Sequence, residues 1–163
     1  MVVVPHFSNE VPYAEDRFNS NRNRNINNTC KMDYNCGGYA LGTFNWYLPF
    51  INESEHIPLD FETMEEAEAL TDHCVKSMLL EFKSRNLRVV DNLSCLKINE
   101  YAFAFRISSD GDFHYVRRHT NGNWFHKCGA ESTIRLMKSE EVFTTDWCNG
   151  RYDGPIVLFA IHR

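Results

Sequence analysis

An α+β fold, with N-terminal helices packed on an antiparallel β-sheet, is predicted by three observations. Apolar residues recur at helical spacing in two segments of the first half, about 36–48 and 64–85. Beyond residue 87 the pattern shifts to short runs rich in β-branched and aromatic residues. Asn121-Gly122 then separates two such runs, a signal for a tight hairpin and so for antiparallel neighbours. Helical patterns first and strand patterns afterwards are the order of segregated α+β folds.

The elements are justified in chain order. Residues 15–29 interleave Asn19, Asn21, Asn23, Asn25, Asn27 and Asn28 with Arg17, Arg22 and Arg24, which predicts a polar surface loop. Tyr39, Ala40, Thr43, Phe44, Tyr47 and Leu48 fit one face of a helix over about 36–48, ended by Pro49. The second helix, about 64–85, opens on a capping box of Thr63 and Glu66, with Glu65, Glu66 and Glu68 near its positive end. Its buried stripe is Ala67, Leu70, Cys74, Met78 and Phe82, so Cys74 reads as core filler. Strands are expected at 87–90, 101–107, 113–118, 123–127 and 156–161.

The chain has 163 residues, enough for one domain with a real core, and neither an internal repeat nor a change of composition divides it. Its net charge of −5 gives no broad nucleic-acid surface. The start, Met1-Val2-Val3-Val4-Pro5-His6, has neither a basic segment nor a long apolar one, so no secretory signal is expected. No apolar run reaches the roughly 18 residues that cross a bilayer. A cytoplasmic protein without membrane partners is the expectation, although export by a non-classical route would leave the same sequence. The six cysteines contain no C-x-x-C pair, which removes support for a zinc ribbon or a thioredoxin-like site. Cys95, Cys128 and Cys148 fall at turns or strand ends and read as structural, while Cys30 and Cys36 are close enough to allow a regulatory disulfide.

One stretch carries chemistry. In Asp33-Tyr34-Asn35-Cys36-Gly37-Gly38-Tyr39 the thiol stands at the first turn of the expected helix, where backbone N–H groups and the helix dipole stabilise a thiolate. A cysteine nucleophile needs a base within hydrogen-bond reach and a group that orients the base. His114 opens a strand directly after Ser108-Ser109-Asp110-Gly111, a position suited to a cleft mouth. His126 and Asp112 are the alternatives for orienting it. Register decides for His126. A two-residue turn pairs Thr120 with Asn123 and sends His126 to the face away from His114. A three-residue turn with a bulge pairs Thr120 with Trp124 and puts His126 on the His114 face. Asn35 reads as the helix N-cap or as an oxyanion donor beside the Cys36 N–H.

The stretches Asn35-Cys36-Gly37-Gly38-Tyr39-Ala40-Leu41, Asp112-Phe113-His114-Tyr115-Val116-Arg117 and Asn121-Gly122-Asn123-Trp124-Phe125-His126-Lys127-Cys128-Gly129 resemble the motifs of papain-like cysteine hydrolases. The likeness is to their compact bacterial and phage branch, which includes cell-wall amidases and endopeptidases. The resemblance implies Cys36 as nucleophile, His114 as general base and then acid, and His126 as the orienting residue. It implies a thiol protease or amidase, with deamidation or transamidation as variants, acting on a peptide, a peptidoglycan peptide or a protein without any cofactor. Two rival readings stand beside it. One is a catalytically silent module that inhibits a host protein, with Trp46, Trp124 and Trp147 as interface anchors. The other is a zinc site drawn from Cys36, His114 and His126. No oligomeric state follows from the sequence.

Overall fold

The structure is a computed structural model that describes residues 34–43, 45–49, 58–119, 122–127, 134–144, 147–148 and 150–163. The expected Asn-rich loop at 15–29, Cys30, on which a regulatory disulfide with Cys36 would depend, and Cys128 lie outside the described residues.

The fold is α+β, built on a six-stranded antiparallel sheet. Helix α1 is Cys36–Leu41 and helix α2 is Met64–Glu81, followed by a 3-10 turn at Lys83–Arg85. The strands are β1 (Arg88–Val89), β2 (Glu100–Ile107), β3 (Phe113–Arg118), β4 (Trp124–Lys127), β5 (Ile134–Met137) and β6 (Val157–His162). A single turn of helix, α3 (Ser139–Val142), joins the last two parts. The sheet order is β1-β6-β2-β3-β4-β5, so the chain's last strand returns to pair with both β1 and β2.

Period-two alternation along the central strands divides the interior into two cores. Tyr101, Phe103, Phe105 and Ile107 of β2, Tyr115 of β3, and Phe159 and Ile161 of β6 face α2 and the start of α1. Here Phe103 stacks on Phe159 at 4.9 Å between ring centres. Ala102 and Ala104, Val116, Trp124, Leu158 and Ala160 face the other way, against Met137, Val142, Trp147 and Tyr152. Small residues on that face of β2 leave room for Trp147 of the covering segment.

Helix α2 forms as its sequence dictates. Thr63 accepts from the Glu66 N–H at 3.1 Å and Glu66 reaches back to the Thr63 N–H at 3.2 Å, completing the capping box. Ala67, Cys74 and Met78 are buried on its sheet side. Burial pushes the Cys74 thiol up to about 12, which fits its role as filler.

Helix α1 is shorter than expected. It spans six residues and stops at Gly42, whose left-handed backbone (φ 70°) closes the last turn, well before Pro49. Tyr47 still reaches the core, but from an extended segment rather than a continued helix. Strand β5, which the sequence pattern does not announce, pairs with β4 at the sheet edge.

The β3–β4 hairpin takes neither expected register. Arg117 faces Phe125 and Arg118 faces Trp124, and the His119 N–H donates to the Asn123 carbonyl at 2.8 Å. His119 and Asn123 therefore close the turn, with Gly122 at φ 89° supplying a conformation that other residues resist. Continued one step, this register sets Val116 opposite His126. His126 thus shares the face of His114, displaced diagonally across the hairpin.

Candidate active site

Asn35 ends the extended approach to α1 and acts as its N-cap. Its Oδ1 accepts from the Gly38 N–H at 3.0 Å and the Tyr47 N–H at 3.1 Å, while Nδ2 donates to the Tyr47 carbonyl at 2.8 Å. Cys36 follows as the first helical residue and is 4% exposed. The two glycines after it let the chain pack closely. A Cβ on Gly38 would lie 2.0 Å from the Asn45 carbonyl oxygen, and one on Gly37 would lie 3.1 Å from the Tyr47 and Tyr115 rings.

The helix is clamped at both ends. The Lys127 ammonium donates to the Tyr34 carbonyl at 2.7 Å, just ahead of the cap. At the other end the Tyr101 hydroxyl donates to the Ala40 carbonyl at 2.8 Å and Arg85 donates to the Leu41 carbonyl. The Arg117 guanidinium lies 3.6 Å over the Tyr101 ring, close to the same terminus. Cationic groups there complement the negative end of a helix.

His114 comes from the other face of the sheet. Its ring is 2% exposed, stacks on Tyr152 with centres 5.0 Å apart, and meets the Trp147 edge at 6.2 Å. His114 Nε2 and His126 Nδ1 are 2.8 Å apart, a hydrogen bond in which one imidazole is the donor. Burial, with His126 and Arg151 adding to it, holds the His114 pKa well below the usual histidine range, so the ring is neutral near pH 7.

Asp112 serves a different partner from the one proposed for it. Its carboxylate accepts from the Tyr152 hydroxyl at 2.9 Å and pairs with Arg151 at 2.9 Å. It therefore fixes the tyrosine whose ring covers His114, rather than the imidazole itself. Burial first, and the Asp112 charge second, raise the Tyr152 pKa, so this phenol stays protonated.

These parts converge on a cleft of about 260 Å³ at the end of the sheet where β3 begins. Asn35, Cys36, Trp46, Leu48, Asp112, Phe113, His114 and Tyr152 line it. Cys36 reaches the cleft from the α1 side and His114 from the opposite face, so the two share the space around the end of β3. Trp46 and Leu48 are 50% and 40% exposed and form an apolar rim.

The structure brings Cys36 and His114 to one cleft and joins His126 to His114 by a hydrogen bond. It also adds residues that sequence reasoning did not select. Arg151 and Tyr152 arrive from the turn before β6, and the only hint in the sequence was the turn-rich Asn149-Gly150-Arg151-Tyr152-Asp153-Gly154 itself. Cys148, expected to be structural, comes close to both histidines: the ligand atoms of His114, His126 and Cys148 all lie within 4.8 Å of one another. The thiol grouped with the two imidazoles is therefore Cys148, not the Cys36 of the sequence-based zinc reading. Of the three tryptophans offered as anchors by the silent-module reading, Trp124 and Trp147 are buried in the core, the commoner fate of tryptophan, and Trp46 alone is exposed.

No protein-family model, curated protein or solved structure matches the chain. Among the described residues no helix is long and apolar enough to cross a membrane.

Proposed function

We propose that the protein is a papain-like cysteine hydrolase that cleaves a peptide or peptide-like amide through a thioester on Cys36. The observation that carries this reading is the shared cleft, lined by Cys36 and His114, with His126 hydrogen-bonded to Nε2 of the His114 ring. Engagement of Nε2 by His126 leaves Nδ1 as the nitrogen for the thiol. The Cys36 sulfur attacks the carbonyl carbon as its proton passes to His114. Collapse of the tetrahedral intermediate breaks the C–N bond, and His114 returns the proton to the leaving amine. Water then gives a proton to His114 and its oxygen attacks the thioester. The C–S bond breaks, the acid departs and Cys36 recovers its proton. Because His114 is neutral at rest, the cycle starts from a thiol and an imidazole rather than from an ion pair. Deamidation or transamidation of a protein glutamine would use the same groups.

The apolar rim supports peptide substrates with a large hydrophobic side chain next to the scissile bond. Cys36→Ala is expected to retain the wild-type circular-dichroism spectrum and to lose turnover of a peptide-amide library by at least about 10³-fold. Full biological activity in Cys36→Ala would end the hydrolase reading.

The exposed Trp46 and Leu48 at the cleft also favour a second reading, a silent binding module that seats an apolar side chain of a partner protein there. In that case Trp46→Ala abolishes function while Cys36→Ala does not.

A further inference from the structure

We infer that His114, His126 and Cys148 form a binding site for a soft divalent cation of the zinc class. Three donors of the right kind, two imidazole nitrogens and one sulfur, come from three separate elements and lie within 4.8 Å of one another. The two nitrogens already point at each other across 2.8 Å. Tetrahedral ligands at zinc-to-nitrogen bond lengths sit about 3.3 Å apart, so insertion of the ion needs the rings to part by about half an ångström. The sulfur needs to close by on the order of 1 Å to reach its bonding distance. His114 and His126 are buried while Cys148 is half-buried, so the sulfur side is the way in. No carboxylate belongs to the group, which disfavours magnesium and calcium.

Proton balance follows from the donor set. The N–H shared by the two imidazoles moves to the other nitrogen of its ring, and the Cys148 thiol loses its proton to solvent. One proton leaves per ion bound. Three protein ligands leave a fourth position for water. This site takes the same His114 that the hydrolase reading uses as its base. Resting on that reading, bound metal and Cys36 chemistry exclude one another, and the cluster is an inhibitory metal switch.

Cobalt(II) titration of the full chain tests binding without reference to activity. The expected result is saturation at one ion per chain, with a thiolate-to-cobalt charge-transfer band. That band survives in Cys36→Ser and disappears in Cys148→Ser. Zinc affinity, measured by competition with a chromophoric chelator, is expected to fall at least about tenfold in Cys148→Ser and in His126→Gln. Cys148→Gly is the companion variant, because the backbone at 148 has φ 50° and glycine accepts it without strain. A band that survives in both Cys148 variants, or equal affinity for magnesium, overturns the site. Once a substrate is found, zinc is expected to inhibit the wild type and to spare Cys148→Ser. Activation by zinc would overturn the switch while leaving the hydrolase reading intact.

Discussion

At position 38 a methyl group has nowhere to go. Alanine in place of glycine inside a helix normally stabilises by about 0.5–1 kcal/mol. Here the new Cβ would sit 2.0 Å from one backbone atom of Asn45 and 2.9 Å from another. Backbone cannot rotate aside as a side chain can, so overpacking wins, at a cost of about 1–3 kcal/mol. Gly38→Ala is therefore expected to lower the urea midpoint and to disturb the loop that carries Trp46 to the cleft. A midpoint equal to or above wild type would contradict the close approach. Gly37→Ala meets only side-chain atoms of Tyr47 and Tyr115, at 3.1–3.3 Å, and is expected to cost less. The sequence showed two small residues after Cys36, but only the fold reveals that the second of them lies against backbone and the first against side chains.

The two main helices owe their existence to different causes. With 18 residues, a capping box and a buried stripe, α2 is specified locally. Thr63→Ala is expected to cost about 1 kcal/mol while leaving the alkylation rate of Cys36 unchanged, since Thr63 does not line the cleft. By contrast, α1 has six residues, two of them glycine, and isolated helices below about 12–15 residues are marginal in water. Tertiary bonds from Lys127, Tyr101 and Arg85 hold it. Tyr101→Phe removes the buried bond to the Ala40 carbonyl and a longer one accepted from Arg85 at 3.4 Å, at an expected cost of about 1 kcal/mol, and should speed hydrogen exchange in residues 39–41 more than in α2. Equal effects on both helices would show that the clamp is not local to α1.

Across the whole molecule, acid stability depends on the far end of β2 from the cleft. Arg88 of β1 donates twice to Glu100, at 3.0 and 2.8 Å, and the Lys97 N–H donates at 2.8 Å. These bonds, led by Arg88, hold the Glu100 carboxyl down to about 2 from an ordinary 4.5, against the opposing effect of burial. A carboxylate lowered on folding contributes stability above its unfolded pKa and loses it as pH falls from about 4.5 towards 2. Solvent at the partly exposed Arg88 screens the pair and reduces this contribution. Glu100→Gln is expected to flatten the fall in urea stability over that interval, and an unchanged slope would remove the pair from the account. The molecule also divides what local pattern could settle from what it could not. Segregated helices and antiparallel strands, the start of α2 with its cap, and the edges of β3 were all legible, because caps and turns act over a few neighbouring residues. The early stop of α1, the hairpin register that turns His126 to His114, the edge strand β5, and the arrival of Cys148, Arg151 and Tyr152 at the histidines were settled only by the tertiary structure. Each depends on contacts between residues distant in sequence or on a choice between near-equivalent turns, and strand packing decides those.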